Sequence, residues 1–79
     1  MSPSLYKWKS FRFYFFSREE PRAHVHVTGP EGEAKFSLEP DITLATSHGL
    51  PEHTLRGIEE QVRIHADEFK RAWKTHFGS

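Results

Sequence analysis

The sequence predicts an α+β fold: an antiparallel meander of three strands, or four, followed by one long C-terminal helix packed on one face of the sheet. Three observations predict it. Residues 11–16 are aromatic and β-prone, and Ala23-His24-Val25-His26-Val27-Thr28 alternates apolar with polar at every step. Gly29-Pro30-Glu31-Gly32 is turn chemistry placed between two such runs. From Leu55 onward, apolar residues recur every three or four positions, which is the period of a helix with one buried face.

The first strand covers about 11–17, ending where the polar, Pro21-containing segment from Ser17 to Arg22 begins. The second covers 23–28. The third covers 33–39, where Ala34, Phe36 and Leu38 alternate with Glu33, Lys35, Ser37 and Glu39 until Pro40-Asp41 breaks the run. Residues 42–46 supply the fourth strand if they pair, and Ser47-His48-Gly49 reads as a loop. Pro51 then opens a helix over about 51–77, standing in its first turn, where the missing N–H does no harm. Leu55, Ile58, Val62, Ala66, Phe69, Trp73 and Phe77 form its stripe, Ile64 points away, and Gly78 is the expected stop. Hairpins closed at the two turns place Phe15 beside Val25, Phe13 beside Val27, Val27 beside Ala34 and Val25 beside Phe36. That register sorts Phe11, Phe13, Phe15, Val25, Val27, Ala34, Phe36 and Leu38 onto one face. A one-residue slip would scramble this sorting. The other face takes Arg12, Tyr14, Phe16, His24, His26, Glu33, Lys35, Ser37 and Glu39.

Seventy-nine residues make one domain, 1–79, with little apolar surface to spare. The absence of cysteine excludes disulfides and thiolate zinc sites. No run approaches a membrane span and no secretory signal is recognised, so the expected location is the cytoplasm, without membrane contact. Eleven Lys and Arg balance eleven Asp and Glu, which argues against a generic polyanion binder. The helix pairs Glu52–Arg56, Glu59–Arg63 and Asp67–Arg71 at i,i+4, acid first, as on a solvated face. That pattern outweighs reading Arg56, Arg63, Lys70 and Lys74 as a nucleic-acid stripe.

The outer sheet face is the best site candidate. Arg12, Tyr14, His24, His26 and Lys35 are candidate catalytic residues for metal-independent RNA cleavage. One imidazole would take the 2′-OH proton, another group would protonate the leaving oxygen, and the cations would stabilise the phosphorane-like charge. Tyr14, Phe16, Ser37 and Trp8 are candidate binding residues. Exposed aromatics on so small a domain favour a face covered by a protein partner or a second copy over one that binds RNA. His24 and His26 are spaced to share a metal ion, but the local sequence supplies no third ligand, and Glu33 or His48 would have to be brought in by the fold. No metal or cofactor is therefore expected.

The string Phe15-Phe16-Ser17, Glu20-Pro21-Arg22-Ala23-His24-Val25-His26-Val27, Glu33-Ala34-Lys35-Phe36-Ser37-Leu38-Glu39-Pro40, Leu44-Ala45, His48-Gly49-Leu50, Ala72-Trp73 and Phe77-Gly78 resembles the bacterial and archaeal family called domain of unknown function 4160. The likeness runs over nearly the whole chain. It implies a small cytoplasmic α+β protein whose gene neighbours another small domain, as in toxin–antitoxin pairs, and it implies functional positions at His24, His26 and Lys35. The chain departs from the pattern at Ser37, where Trp is common, and at Arg22-Ala23, where Pro is common before the histidine. The function expected is a small interaction module that binds a protein partner through its outer sheet face and sheet edges. A ribonuclease or RNA-binding protein centred on His24 and His26 is the alternative.

Overall fold

The computed structural model describes residues 4–15 and 22–77. Five strands, β1 (Ser4–Trp8), β2 (Phe11–Tyr14), β3 (His24–Gly29), β4 (Gly32–Ser37) and β5 (Thr43–His48), are followed by α1 (Glu52–Ile64) and α2 (Ala66–Phe77). The strands form one antiparallel sheet in the order β1-β2-β3-β4-β5, so every strand pairs with its neighbour in sequence.

The alternation in the middle strands determines the core. Val27 pairs with Phe13 on one side and Ala34 on the other, and Val25 pairs with Phe36. These are the pairings expected from the turns. The described β2–β3 ladder ends at Tyr14↔His26, one residue short of the Phe15–Val25 pair. The face expected to be apolar is buried throughout, from Phe11 to Leu38, and joins Ile58, Val62, Phe69 and Trp73 of the helices in one cluster. Phe13 meets Phe69 with ring centroids 6.0 Å apart, and Phe15 meets Trp73 edge-on at 5.2 Å. Ile64 lies 64% exposed, as its place off the stripe requires.

The sheet has five strands rather than three or four because residues 4–8 add β1. Tyr6 and Trp8 point to the helix side while Lys7 stands opposite Arg12 on the other face. Tyr6 packs on Phe13 and on His65, its ring 4.2 Å from the imidazole, and its hydroxyl donates to Gln61 Oε1 at 2.7 Å. Trp8 lies over α1 at Gly57, where an added Cβ would come within 2.7 Å of the indole. The turn into β2 holds Lys9 at φ 56°, a conformation that costs an L side chain but suits the twist of a two-residue hairpin. The fourth strand forms, and it runs two residues further than expected: Ser47 and His48 are in β5, not in a loop. A bulge at Ala45 shifts the pairing from Lys35↔Thr46 to Phe36↔Leu44. Gly49, at φ 78°, turns the chain out of β5.

The single long helix expected over 51–77 is two helices. His65 separates them at φ −102° and ψ 15°, while the His65 N–H still donates to Gln61 O and the Phe69 N–H to His65 O. The break is thus a one-residue bend that leaves the apolar stripe in phase, with Ile58 and Val62 buried on α1 and Phe69 and Trp73 on α2. Pro51 occupies the N-cap in an extended conformation, one position before the expected one. Phe16, Ser17 and Gly78 lie outside the described residues.

Candidate binding face of the sheet

Both helices pack on one side, so the opposite face of β1–β5 carries the polar half of each strand. Register arranges it in rows across the strands. One row is Lys7, Arg12, Thr28, Glu33 and His48; the next is Tyr14, His26, Lys35 and Thr46. Directly opposed side chains on one face stand about 4.5–5.5 Å apart at Cβ. Four of the five candidate catalytic residues, Arg12, Tyr14, His26 and Lys35, therefore share one patch, and all four are half-buried.

The contacts within the patch are specific. The Arg12 guanidinium lies 4.4 Å from the centre of the Tyr14 ring. Tyr14 in turn stacks on His26, with centroids 5.6 Å apart and planes 27° apart. A shallow open groove of about 340 Å³ runs beside this stack, lined by Tyr14, His26, Glu33, Lys35, Thr46 and His48 among others.

His24 differs from its expected place. The alternation puts it on the outer face beside His26, and the two rings are in edge contact at 5.3 Å. Yet His24 is only 3% exposed, and its ring lies 4.9 Å from that of Trp73 on α2. Its Nδ1 is 3.1 Å from the Arg22 carbonyl, and since a carbonyl only accepts, Nδ1 carries the proton in that bond. At this end of β3 the imidazole belongs to the packing around Trp73 as much as to the outer face. The sequence argument that separates the histidine pair from the helices therefore holds for His26 and fails for His24.

The candidate binding residues also divide. Tyr14 lies in the patch. Trp8 does not: it packs against α1 on the far side of the sheet, stacked on Phe11 at 6.4 Å. Ser37 stands opposite His24, and its hydroxyl donates to the Glu39 carbonyl at 2.8 Å, closing the end of β4. Phe16 is outside the described residues. Thr46, which the sequence did not single out, and His48, considered there only as a metal ligand, reach the groove because β5 extends to His48. The strand ladder sets His48 opposite Glu33. Among the described residues no group of three or more His, Asp or Glu side chains comes together as a metal site needs, so Glu33 and His48 do not complete a set with the histidine pair.

Elsewhere the charges behave as a solvated surface. Arg56 pairs with Glu52 at 3.0 Å and Arg63 with Glu59 at 2.9 Å, both on exposed parts of α1. Such pairs contribute roughly 0.3–0.5 kcal/mol each. No helix among the described residues is long and apolar enough to cross a membrane.

Comparison with curated proteins and with solved structures finds no match to this chain. The model of one family does match, over residues 10–74. That span holds β2 to β5, the outer-face patch, α1 and most of α2, and by it the chain belongs to the family described as domain of unknown function (DUF4160).

Proposed function

We propose that this protein is a small cytoplasmic binding module that engages a protein partner through the outer face of its sheet, as one component of a pair of the toxin–antitoxin kind. The observation that supports it best is the patch of Arg12, Tyr14, His26 and Lys35, set in register on the face that neither helix covers. Tyr and Arg, two of the four, are among the types enriched at protein interfaces. The face suits this role better than the edges. Both edge strands carry a bulge, at Leu5 in β1 and at Ala45 in β5, and bulges discourage the pairing of a further strand. The pairing with a small neighbouring protein comes from the family resemblance and not from the geometry.

The ribonuclease reading draws on the 5.3 Å separation of the His24 and His26 rings, with Lys35 paired to His26 across the strands. Against it, His24 is buried and bonded to a backbone carbonyl. A general acid or base must reach the proton it moves. The buried His24 does not, and the other imidazole that lines the groove with His26 is His48, two strands away on β5.

A photo-crosslinking side chain at Thr46, on the groove, decides between the readings when the full chain is expressed in its host. The expected product is an adduct with a protein, absent when the same group stands at Glu60 on exposed α1. Adducts with RNA at Thr46, or protein adducts at Glu60 alone, would overturn the proposal. Purified protein that cleaves RNA in the presence of a chelator, and stops on His26→Ala with its fold intact, would replace it with the catalytic reading.

A further inference from the structure

We infer that His24 is the positioning residue of the outer face: buried at the start of β3, it holds His26, and through it Tyr14 and Arg12, in the arrangement that a partner meets. This rests on the protein-binding reading above and adds what orders the surface before a partner arrives.

Among the described residues of that face His24 alone is buried, whereas Arg12, Tyr14, His26 and Lys35 are half-buried. It is held from two sides. Its Nδ1–H donates to the Arg22 carbonyl at 3.1 Å, and its ring lies 4.9 Å from the Trp73 ring. Trp73 is itself buried and packs on Phe15 at 5.2 Å and Phe77 at 4.3 Å, so the wall behind His24 is part of the core. Close-packed surroundings of this kind keep a side chain in a low-energy rotamer.

From this anchor the contacts run outward in series. The His24 ring meets the His26 ring at 5.3 Å, His26 stacks on Tyr14 at 5.6 Å, and the Arg12 guanidinium lies 4.4 Å from the Tyr14 centroid. Residues two apart on a strand share a face, so His24 fills the place next to His26 toward the start of β3. Order in the unbound protein matters, because each side chain that must be immobilised on binding weakens a complex about two- to tenfold. The two histidines therefore do different work. His26 lines the groove, and His24 acts through it.

The test measures the χ1 couplings of His26 and Tyr14 by NMR in the full chain, together with protein crosslinking from Thr46. His24→Leu fills the buried space but removes the ring. His24→Phe returns a flat ring without the bond to the carbonyl. Phe69→Leu loosens the core elsewhere on α2, where Phe69 packs on Tyr6, Phe13 and His65. Both outer rings are expected to hold single χ1 rotamers in the parent chain and in His24→Phe, and to average between rotamers in His24→Leu. Phe69→Leu is expected to lower the melting temperature and leave the couplings unchanged, which separates positioning from a merely structural role. Protein adducts at Thr46 should fall about two- to tenfold in His24→Leu and recover in His24→Phe. If circular dichroism shows that His24→Leu does not fold, the flexible side chain of His24→Met takes its place. Averaging already present in the parent, single rotamers kept in His24→Leu, equal averaging in Phe69→Leu, no recovery in folded His24→Phe, or an adduct yield indifferent to His24→Leu would each overturn the inference. The two proposals fail separately. Couplings indifferent to His24 with protein still captured at Thr46 remove only the positioning role. RNA captured at Thr46 removes the protein-binding reading, and the couplings then decide the positioning role alone.

Discussion

Replacing His24 with alanine removes a ring that is 3% exposed, sits 4.9 Å from the Trp73 ring and donates a hydrogen bond to the Arg22 carbonyl. The loss has two parts. Truncating a buried ring of this size leaves a cavity beside Trp73, which costs about 2–4 kcal/mol. The orphaned carbonyl adds about 1 kcal/mol if water cannot reach it. A total of about 3–5 kcal/mol is a large share of the stability of so small a domain. At roughly 4–8 °C per kcal/mol, the melting temperature should fall by well over 10 °C. His26→Ala, by contrast, trims a half-buried outer-face ring and should cost under about 1 kcal/mol. Thermal and urea unfolding followed by circular dichroism measure both. Equal, small losses at the two positions would refute the placement of His24 in the packing around Trp73, and would return it to the outer face as a free partner of His26. The contrast bears on function. If His24→Ala abolishes partner binding or an activity, the loss counts as a functional effect only after the fold of the variant has been shown to persist.

The remaining predictions concern the elements that hold the face in place. Phe69→Ala and Trp73→Ala should each cost about 3–5 kcal/mol in denaturant unfolding, and Ile64→Ala almost nothing, since the first two are buried and the third is 64% exposed. Gly57→Val should push the Trp8 indole off α1, costing about 1–3 kcal/mol and speeding amide exchange in β1 ahead of the other strands. Lys9→Gly should stabilise the chain by about 0.5–1 kcal/mol, because glycine adopts the positive φ at that turn without strain, and a lower melting temperature would contradict this.

The middle of the sheet was legible because its strands alternate strictly and its β3–β4 turn is written in Gly and Pro. Val25, Val27, Ala34 and Phe36 could face the core in only one register. β1 was not legible. Leu5 to Trp8 is short, and its strand character comes from pairing with β2 and from Tyr6 and Trp8 finding α1, both tertiary effects. The helix break was hidden for a different reason. No Pro or Gly marks His65, and the apolar stripe passes through it in phase, so periodicity reads straight across the bend.

The site shows the same division. Arg12, Tyr14, His26 and Lys35 were found because same-face membership follows from parity along each strand and register between strands, and both were in the sequence. Thr46 and His48 were not placed on this face because residues 47–49 read as a loop and 42–46 were given no face, and the Ala45 bulge that sets the parity of β5 leaves no composition signal. His24 was misjudged by the rule that found its neighbours. Parity gives the face of a strand residue only where the sheet is covered on one side, and at the start of β3 the Trp73 indole reaches the imidazole as well. A buried histidine that touches both a core indole and an outer-face imidazole links packing to the proposed binding surface. The orientation of His26, and through it of Tyr14 and Arg12, is therefore set partly by the docking of α2. A partner of the proposed kind would read this row only when α2 is in place. Loosening Trp73 should thus weaken binding at the outer face even though Trp73 is not part of it.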